Sequence, residues 1–343
     1  MRRRSEMQGS QDITGMSDTG MSGAPKRRSI EARRRAGTAV VIRLVVGLAA
    51  VLGAEGRGLR GQSAERRAGS LEWKLAAGES QRVTFRQTTD SLTTVNRLVS
   101  RARIVMEADL TWRVDSAESD GRMRITQTLD RLAMRLTPSG DEKPVAYDSA
   151  SNEPPRGAAR DIAETVRPLI GLTTRFTMTR LGEILDAALT EESLKSLGEI
   201  GDRSNLIEIF SAEGLTESFR QAMPRLPETP PQVGATWNGS TRTALATGKL
   251  VQDNTYTYTG PSEGQTNLAE IGLQSRLTWE PAKEPAGPAI AITDQKATGA
   301  IRFDTDRGRF RNAWIEQSLT TETPYRNDVV RVRLDTRLEL ELP

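Results

Sequence analysis

Between Arg103 and Leu136 the chain is patterned as a long two-stranded antiparallel ribbon. Ile104, Met106, Ala108, Leu110, Trp112 and Val114 are apolar at every second position. Arg103, Glu107, Asp109, Thr111, Arg113 and Asp115 fill the places between, with Val105 the exception. Successive strand side chains point to opposite faces, so the run has one apolar face and one charged face. A polar turn follows at Ser116–Gly121, and the chain returns through Met123, Ile125, Leu129, Leu132, Met134 and Leu136. The parity of the return strand flips once, which predicts a bulge near Asp130–Arg131. A strand of about a dozen residues runs for about 40 Å, roughly twice the common length. A sheet of such strands must twist and curl, and its apolar face needs a filling.

The rest of the chain divides by period. Residues 71–148 form a first β region. It includes a strand pair over Leu71–Ala77 and Gln81–Thr89, a further strand over Leu92–Ser100, and a short extended piece at Pro144–Tyr147. Residues 155–225 are mostly helical. The helical spacing is at Ile162, Val166 and Ile170, at Ile184, Leu185, Ala188 and Leu189, and from Leu206 through Phe210, Leu215 and Phe219 to Met223. Within that segment Leu172–Leu181 returns to extended character. Residues 233–343 are β again, with clean alternation at Ile271, Leu273, Leu277, Trp279 and at Val330, Val332, Leu334, Leu338, Leu340. Phe176 to Gly182 and Phe303 to Gly308 share the outline of an apolar strand turning at a glycine, an echo consistent with two related halves.

Charge is unevenly placed. Lys and Arg number 48 against 45 Asp and Glu, giving +3 overall. Residues 1–70 carry a surplus of basic residues, so the body is mildly acidic. An acidic body lacks the basic surface that nucleic-acid binding needs. Residues 1–37 are a basic, Gly- and Ser-rich leader without apolar period, expected to be disordered. Residues 38–64 hold an apolar run interrupted by Arg43, too short for a span of about 20 residues. They fit the core of a cleaved export signal better than a retained anchor, with small residues at Gly61–Ala64 for cleavage. Met16 and Met21 are alternative starts. The expected location is therefore the periplasm or cell envelope, with membrane contact through this N-terminal segment.

With no cysteine and no histidine, disulfides, thiolate sites, thiol nucleophiles and imidazole bases are absent. Chemistry would have to rest on Asp, Glu, Lys, Tyr or Ser. The short motifs favour bland readings. Gly56–Gly61 matches GxGxxG, but no helix pattern follows it. Asp18-Thr19-Gly20 sits in the leader without apolar flanks. Asp304-x-Asp306-x-Gly308 starts like a calcium loop, yet Arg309 and Ile315 stand where Gly and an acid are required, so a hairpin turn is expected. Asn238-Gly239-Ser240 is read as a turn between strands. Arg331, Arg333 and Arg337 line one face of the last strand, as a solvated face or as a contact for anionic headgroups.

Several strand-and-turn signatures together resemble a known group. They are Trp112-Arg113-Val114 before Asp120-Gly121-Arg122-Met123, Tyr147-Asp148-Ser149, Phe176-Thr177-Met178 before Gly182-Glu183-Ile184, Gly234-Ala235-Thr236-Trp237, and Gly299 to Gly308. The chain resembles an uncharacterised family of exported bacterial β-rich proteins, a domain of unknown function. It resembles more distantly the lipoprotein-carrier half-barrels of the cell envelope, which implies a curved sheet wrapped on helices with room for an acyl chain. The expected fold is α+β and mainly antiparallel: a long-stranded, curved, half-barrel-like sheet packed on a few central helices. The expected function is non-enzymatic binding of a lipid, lipoprotein or other apolar ligand between sheet and helices. Met106, Leu110, Trp112 and Met134 are the candidate lining residues, with no catalytic residue, metal or cofactor. A structural or assembly protein without a ligand is the second reading and an Asp/Glu-dependent hydrolase the third.

Overall fold

The computed structural model describes residues 69–140, 143–198, 210–245, 248–282, 290–325 and 328–342. The leader, the apolar segment at 38–64 and the Leu206–Ile209 part of the last helical stripe lie outside the described residues.

Twelve strands form one antiparallel sheet. They are β1 (Ser80–Val95), β2 (Leu98–Ala117), β3 (Met123–Pro138), β4 (Val145–Asp148), β5 (Thr173–Met178) and β6 (Ile184–Leu189) in the first part of the chain. β7 (Thr236–Leu245), β8 (Gly248–Ser262), β9 (Gln265–Pro281), β10 (Ala291–Asp304), β11 (Arg309–Tyr325) and β12 (Asp328–Glu341) follow. Their order is β6-β5-β3-β2-β1-β12-β11-β10-β9-β8-β7, with β4 beside β3. The two β regions are one sheet because β1 pairs β12 from Thr84 opposite Glu341 to Val95 opposite Val330. Among the described residues three short α-helices accompany it: α1 (Ala158–Val166), α2 (Glu191–Gly198) and α3 (Ala212–Ala222).

The opening ribbon forms as its alternation predicts. β2 and β3 pair from Ala102 opposite Pro138 to Ala117 opposite Met123. The register steps at Asp130, which falls between Leu129 opposite Leu110 and Arg131 opposite Asp109. That extra residue returns Leu132 and Met134 to the buried inner face. The outer face carries ion pairs such as Arg86 to Glu107 at 3.5 Å, Arg131 to Asp148 at 2.7 Å and Arg302 to Glu270 at 3.1 Å. The sheet is thus apolar within and charged without, the reverse of a barrel that faces lipid.

Three expectations are corrected. Leu92–Ser100 is not a strand of its own: β1 runs on to Val95, and a two-residue turn at Asn96-Arg97, with Asn96 at φ 56, sends the chain straight back. Ile184–Leu189 is strand β6 rather than helix. A register shift beside Met178 places Ile184, Ala187 and Leu189 on the buried face and leaves Leu185 and Ala188, which the helical stripe included, exposed. Leu71–Ala77 alternates as expected but joins no strand. It crosses one end of the sheet instead: the Trp73 N–H donates to the Arg180 carbonyl (2.8 Å) and the Lys74 N–H to the Gly308 carbonyl (2.9 Å). Leu71, Trp73 and Leu75 are all buried there. The two turns that echo each other in sequence, at Gly182 and Gly308, flank this one crossing segment.

The sheet does not close through its own ladders. Its edge strands β6 and β7 both pack against α3. Ser211 caps that helix by accepting from the Gly214 N–H at 3.0 Å. Thr216 Oγ1 accepts from the Ala187 N–H of β6 at 2.8 Å, and Arg220 Nε donates to the Ile184 carbonyl at 3.0 Å. On the other edge, Glu217 Oε1 accepts from the Arg242 N–H of β7 at 2.7 Å. Side chains of one helix therefore satisfy backbone groups that two sheet edges would otherwise leave bare.

Candidate binding face

The inner face changes character from one end of the strands to the other. At the end crossed by Trp73 it is filled with aromatic rings in sequence. Phe219 of α3 stacks on Phe176 (centroids 4.5 Å), Phe176 meets Trp112 (5.6 Å), and Trp112 meets Trp73 (6.3 Å). Trp73 then meets Phe310 edge-on at 4.7 Å and Phe303 at 6.0 Å. Each such ring removes a large apolar area from water, worth about 1.5–3 kcal/mol. This end is solid core.

Further along, polar side chains enter the inner face. Gln87 and Thr89 of β1 are buried, with Gln87 Nε2 donating to Thr89 Oγ1 (3.1 Å) and Thr89 bonded to Thr336 (3.2 Å). On β8, Gln252 Nε2 donates to Asn254 Oδ1 at 3.2 Å, and Asn254 reaches the Tyr256 hydroxyl. Burial pushes the Tyr256 phenol far above its usual ionisation. Thr241 opposite Gln252, Ser275 opposite Asn254, and Trp279 opposite Leu250 each keep a buried polar atom without a protein partner. Past Thr298 the β9–β10 ladder stops, and the Gln295 side chain takes its place by bonding both the N–H (2.7 Å) and the carbonyl (2.8 Å) of Leu277.

Toward the far end the inner face is only half covered and mixes aliphatic side chains with the hydroxyls of Ser91, Thr93, Ser100 and Thr321. Leu136, Ile104, Leu334 and Leu319 lie there on β3, β2, β12 and β11, followed by Val332 and Val330. All six are of intermediate exposure. The arrangement is a pair of aliphatic patches divided by the hydroxyls of β1, with the buried Gln87 and Thr89 beside them, a mixed lining of the kind small-molecule sites use.

The four lining residues expected from sequence share the inner face. Met106, Leu110, Trp112 and Met134 are 1%, 8%, 5% and 4% exposed and belong to the packed core, with Trp112 Nε1 donating to Gln127 at 2.7 Å. The half-covered lining begins one inner-face position beyond Met106 and Met134, at Ile104 and Leu136. The alternation read from the sequence puts Ile104 and Leu136 on the same apolar face, outside the four residues named as lining. The hollows described on the surface are elsewhere. One of about 540 Å³ lies on the outer face at Asp90, Leu92, Arg101, Arg103, Arg333 and Asp335. Another of about 330 Å³ lies beside α2 at Arg113, Arg175, Glu192 and Ser193.

The charged candidates are engaged locally. Asp304 is buried and accepts from the N–H groups of Asp306 (3.1 Å) and Arg307 (2.9 Å), which is the chemistry of a turn. Arg331, Arg333 and Arg337 pair with Glu322, Asp335 and Glu339. The Arg333 guanidinium holds the Asp335 carboxyl below the usual carboxylate range. Arg131 does the same to Asp148. Among the described residues no group of three or more acids could hold a metal ion.

A family model described as a family of unknown function, DUF6263, matches residues 120–308, more than half of the chain. The chain belongs to this family. No curated protein matches the chain. Among solved structures, an outer membrane channel from Pseudomonas putida F1 is 10% identical with a TM-score of 0.24, covering 79% of this chain and 97% of that one. The translocator domain of autotransporter NalP from Neisseria meningitidis is 6% identical with a TM-score of 0.14, covering 91% and 97%. Overlaps this low carry no argument about the DUF6263 chain. What the family does has to be read from its residues.

Proposed function

We propose that the protein is a non-enzymatic cell-envelope binding protein that takes one apolar chain, from a lipid or a lipidated partner, on the inner face of its half-covered end. The observation that carries this reading is two half-covered aliphatic pairs on the inner face, Ile104 with Leu136 and Leu319 with Leu334, which lie on either side of β1 with its Thr89 and Ser91 between them. Water contact at these pairs costs free energy that an acyl chain would recover at about 0.8 kcal/mol per buried methylene. Thr89 of β1, level with Ile104 and bonded to the buried Gln87, offers a directional contact beside them. Export is supported by the basic leader and the short apolar run before the body. No residue is given a catalytic role. Native mass spectrometry of protein purified from its own membrane extract tests the reading. A stoichiometric lipid adduct is expected. A bare mass, together with no uptake of a fluorescent fatty acid, would sink it.

A further inference from the structure

Seven large apolar residues are exposed among the described residues, and four of them cluster at one place. Leu98 (77% exposed) and Val99 (59%) stand at the β1–β2 turn, and Tyr325 (52%) and Val329 (49%) at the adjoining ends of β11 and β12. These strand ends are neighbours, because Val95 pairs with Leu98 on one side and with Val330 on the other. By register, Leu98 and Tyr325 belong to the inner face and Val99 and Val329 to the outer face. A protein partner packing on a sheet covers one face; a tip that is apolar on both faces suits a medium that surrounds it.

The charge at the tip also selects a partner. From Ser91 to Arg103 the β1–β2 hairpin carries Arg97, Arg101 and Arg103 and no acid, on a body that is acidic overall. Arg103 pairs with Asp90 at 3.3 Å, while Arg97 and Arg101 have no ion pair among the described residues. Arginine beside exposed aliphatic side chains is the make-up of an interfacial membrane contact with anionic lipid. We infer that the paired β1–β2 and β11–β12 tips insert Leu98, Val99 and Val329 into the interface of an anionic bilayer, with Arg97 and Arg101 on its headgroups. The inner-face residues Val330 and Val332 then run from the bilayer surface toward the aliphatic lining. The inference stands apart from ligand binding on that lining and from any contact made by the N-terminal segment.

The absence of cysteine permits a direct test on the full chain. Leu98→Cys carrying an environment-sensitive fluorophore is mixed with vesicles of phosphatidylglycerol and phosphatidylethanolamine. The expected result is a blue shift and quenching by bilayer-embedded spin-labelled lipid, both weak with pure phosphatidylcholine. Leu194→Cys, labelled at a 54%-exposed position on α2, serves as the body control and stays unquenched. Arg97→Gln in the Leu98→Cys background weakens the response about fivefold in vesicle concentration. An unquenched Leu98 probe overturns the inference, as does equal quenching at both positions. A blue shift that grows with protein concentration in the absence of vesicles also overturns it, because it assigns the tip to a second copy of the chain.

Discussion

Gly308 shows how much one side chain can decide at a crossing of two segments. Its backbone lies at φ +61, and a Cβ there would stand 2.6 Å from the Lys74 backbone nitrogen and overlap the Lys74 side chain. Gly308→Ala is expected to lower stability by about 2–4 kcal/mol, the left-handed conformation and the overlap each contributing. Gly140, at φ +86 with nothing within 4 Å, isolates the conformational part, so Gly140→Ala should cost only about 1–2 kcal/mol. Urea midpoints of the two variants measure the difference, and equal values would mean that the crossing segment yields. A second residue-scale effect is electrostatic. Asp148 accepts two bonds from Arg131, at 3.0 and 2.7 Å, and its native carboxyl titrates lower than in the unfolded chain. The resulting stability is present above the unfolded value of about 3.9 and is lost as pH falls through the lower native one. The pair is partly exposed, so the loss on acidification is roughly 0.5–1 kcal/mol. Asp148→Asn should cost about that much at pH 7 and flatten the fall in urea midpoint below about pH 4.

At the scale of elements, α3 does what a strand pairing would do in a closed barrel. Thr216, Arg220 and Glu217 reach the free backbone groups of β6 and β7, and Phe219 beneath them joins the aromatic core. Thr216→Val keeps the shape but leaves the Ala187 N–H without its acceptor, at a cost of about 1–3 kcal/mol. Hydrogen exchange separates this from a general loss of stability. The Ala187 amide should exchange faster, while amides of the β1–β12 ladder keep their protection. If the whole sheet loosens together, the helix is part of the global core and does not act as a local clasp. The helical stripe ending at Met223 was legible in the sequence, with Leu215, Phe219 and Met223 buried as the spacing requires. Its two-sided role was not, because spacing identifies the apolar face and is silent on which strands that face meets.

For the whole molecule, the central fact is that β1 and β12 lie side by side. The first and last strands of the described chain meet in the middle of the sheet, and the long ribbons on either side of them extend past the solid core. Their inner faces are thereby left half covered, which is where the proposed ligand would lie. Leu334→Asp places a charge on that lining at a site already open to water, so the fold should survive with a melting temperature close to the unchanged protein. The same change should abolish the lipid adduct and reduce fluorescent fatty-acid uptake at least tenfold, the penalty of setting a charge against an apolar chain. Unchanged uptake would move the ligand off this face.

Alternation along single strands carried most of the architecture. The β2–β3 ribbon, its bulge at Asp130, the antiparallel class and the turn chemistry of Asp304 all follow from spacings of a few residues, because strand parity and turn preference are local properties. The family resemblance rested on the same local signatures. The joining of two β regions into one sheet did not follow from them, nor did the Trp73 segment across its end or the clasp of α3 over both edges. Each is a contact between residues far apart in the chain, set by how far the sheet curls before its apolar face is filled. The site shows the same division. Parity placed Met106, Leu110, Trp112 and Met134 on the inner face, but only the tertiary structure shows how far along each strand the core extends. The fully buried core ends at Met106 and Met134, and the half-covered positions begin at Ile104 and Leu136.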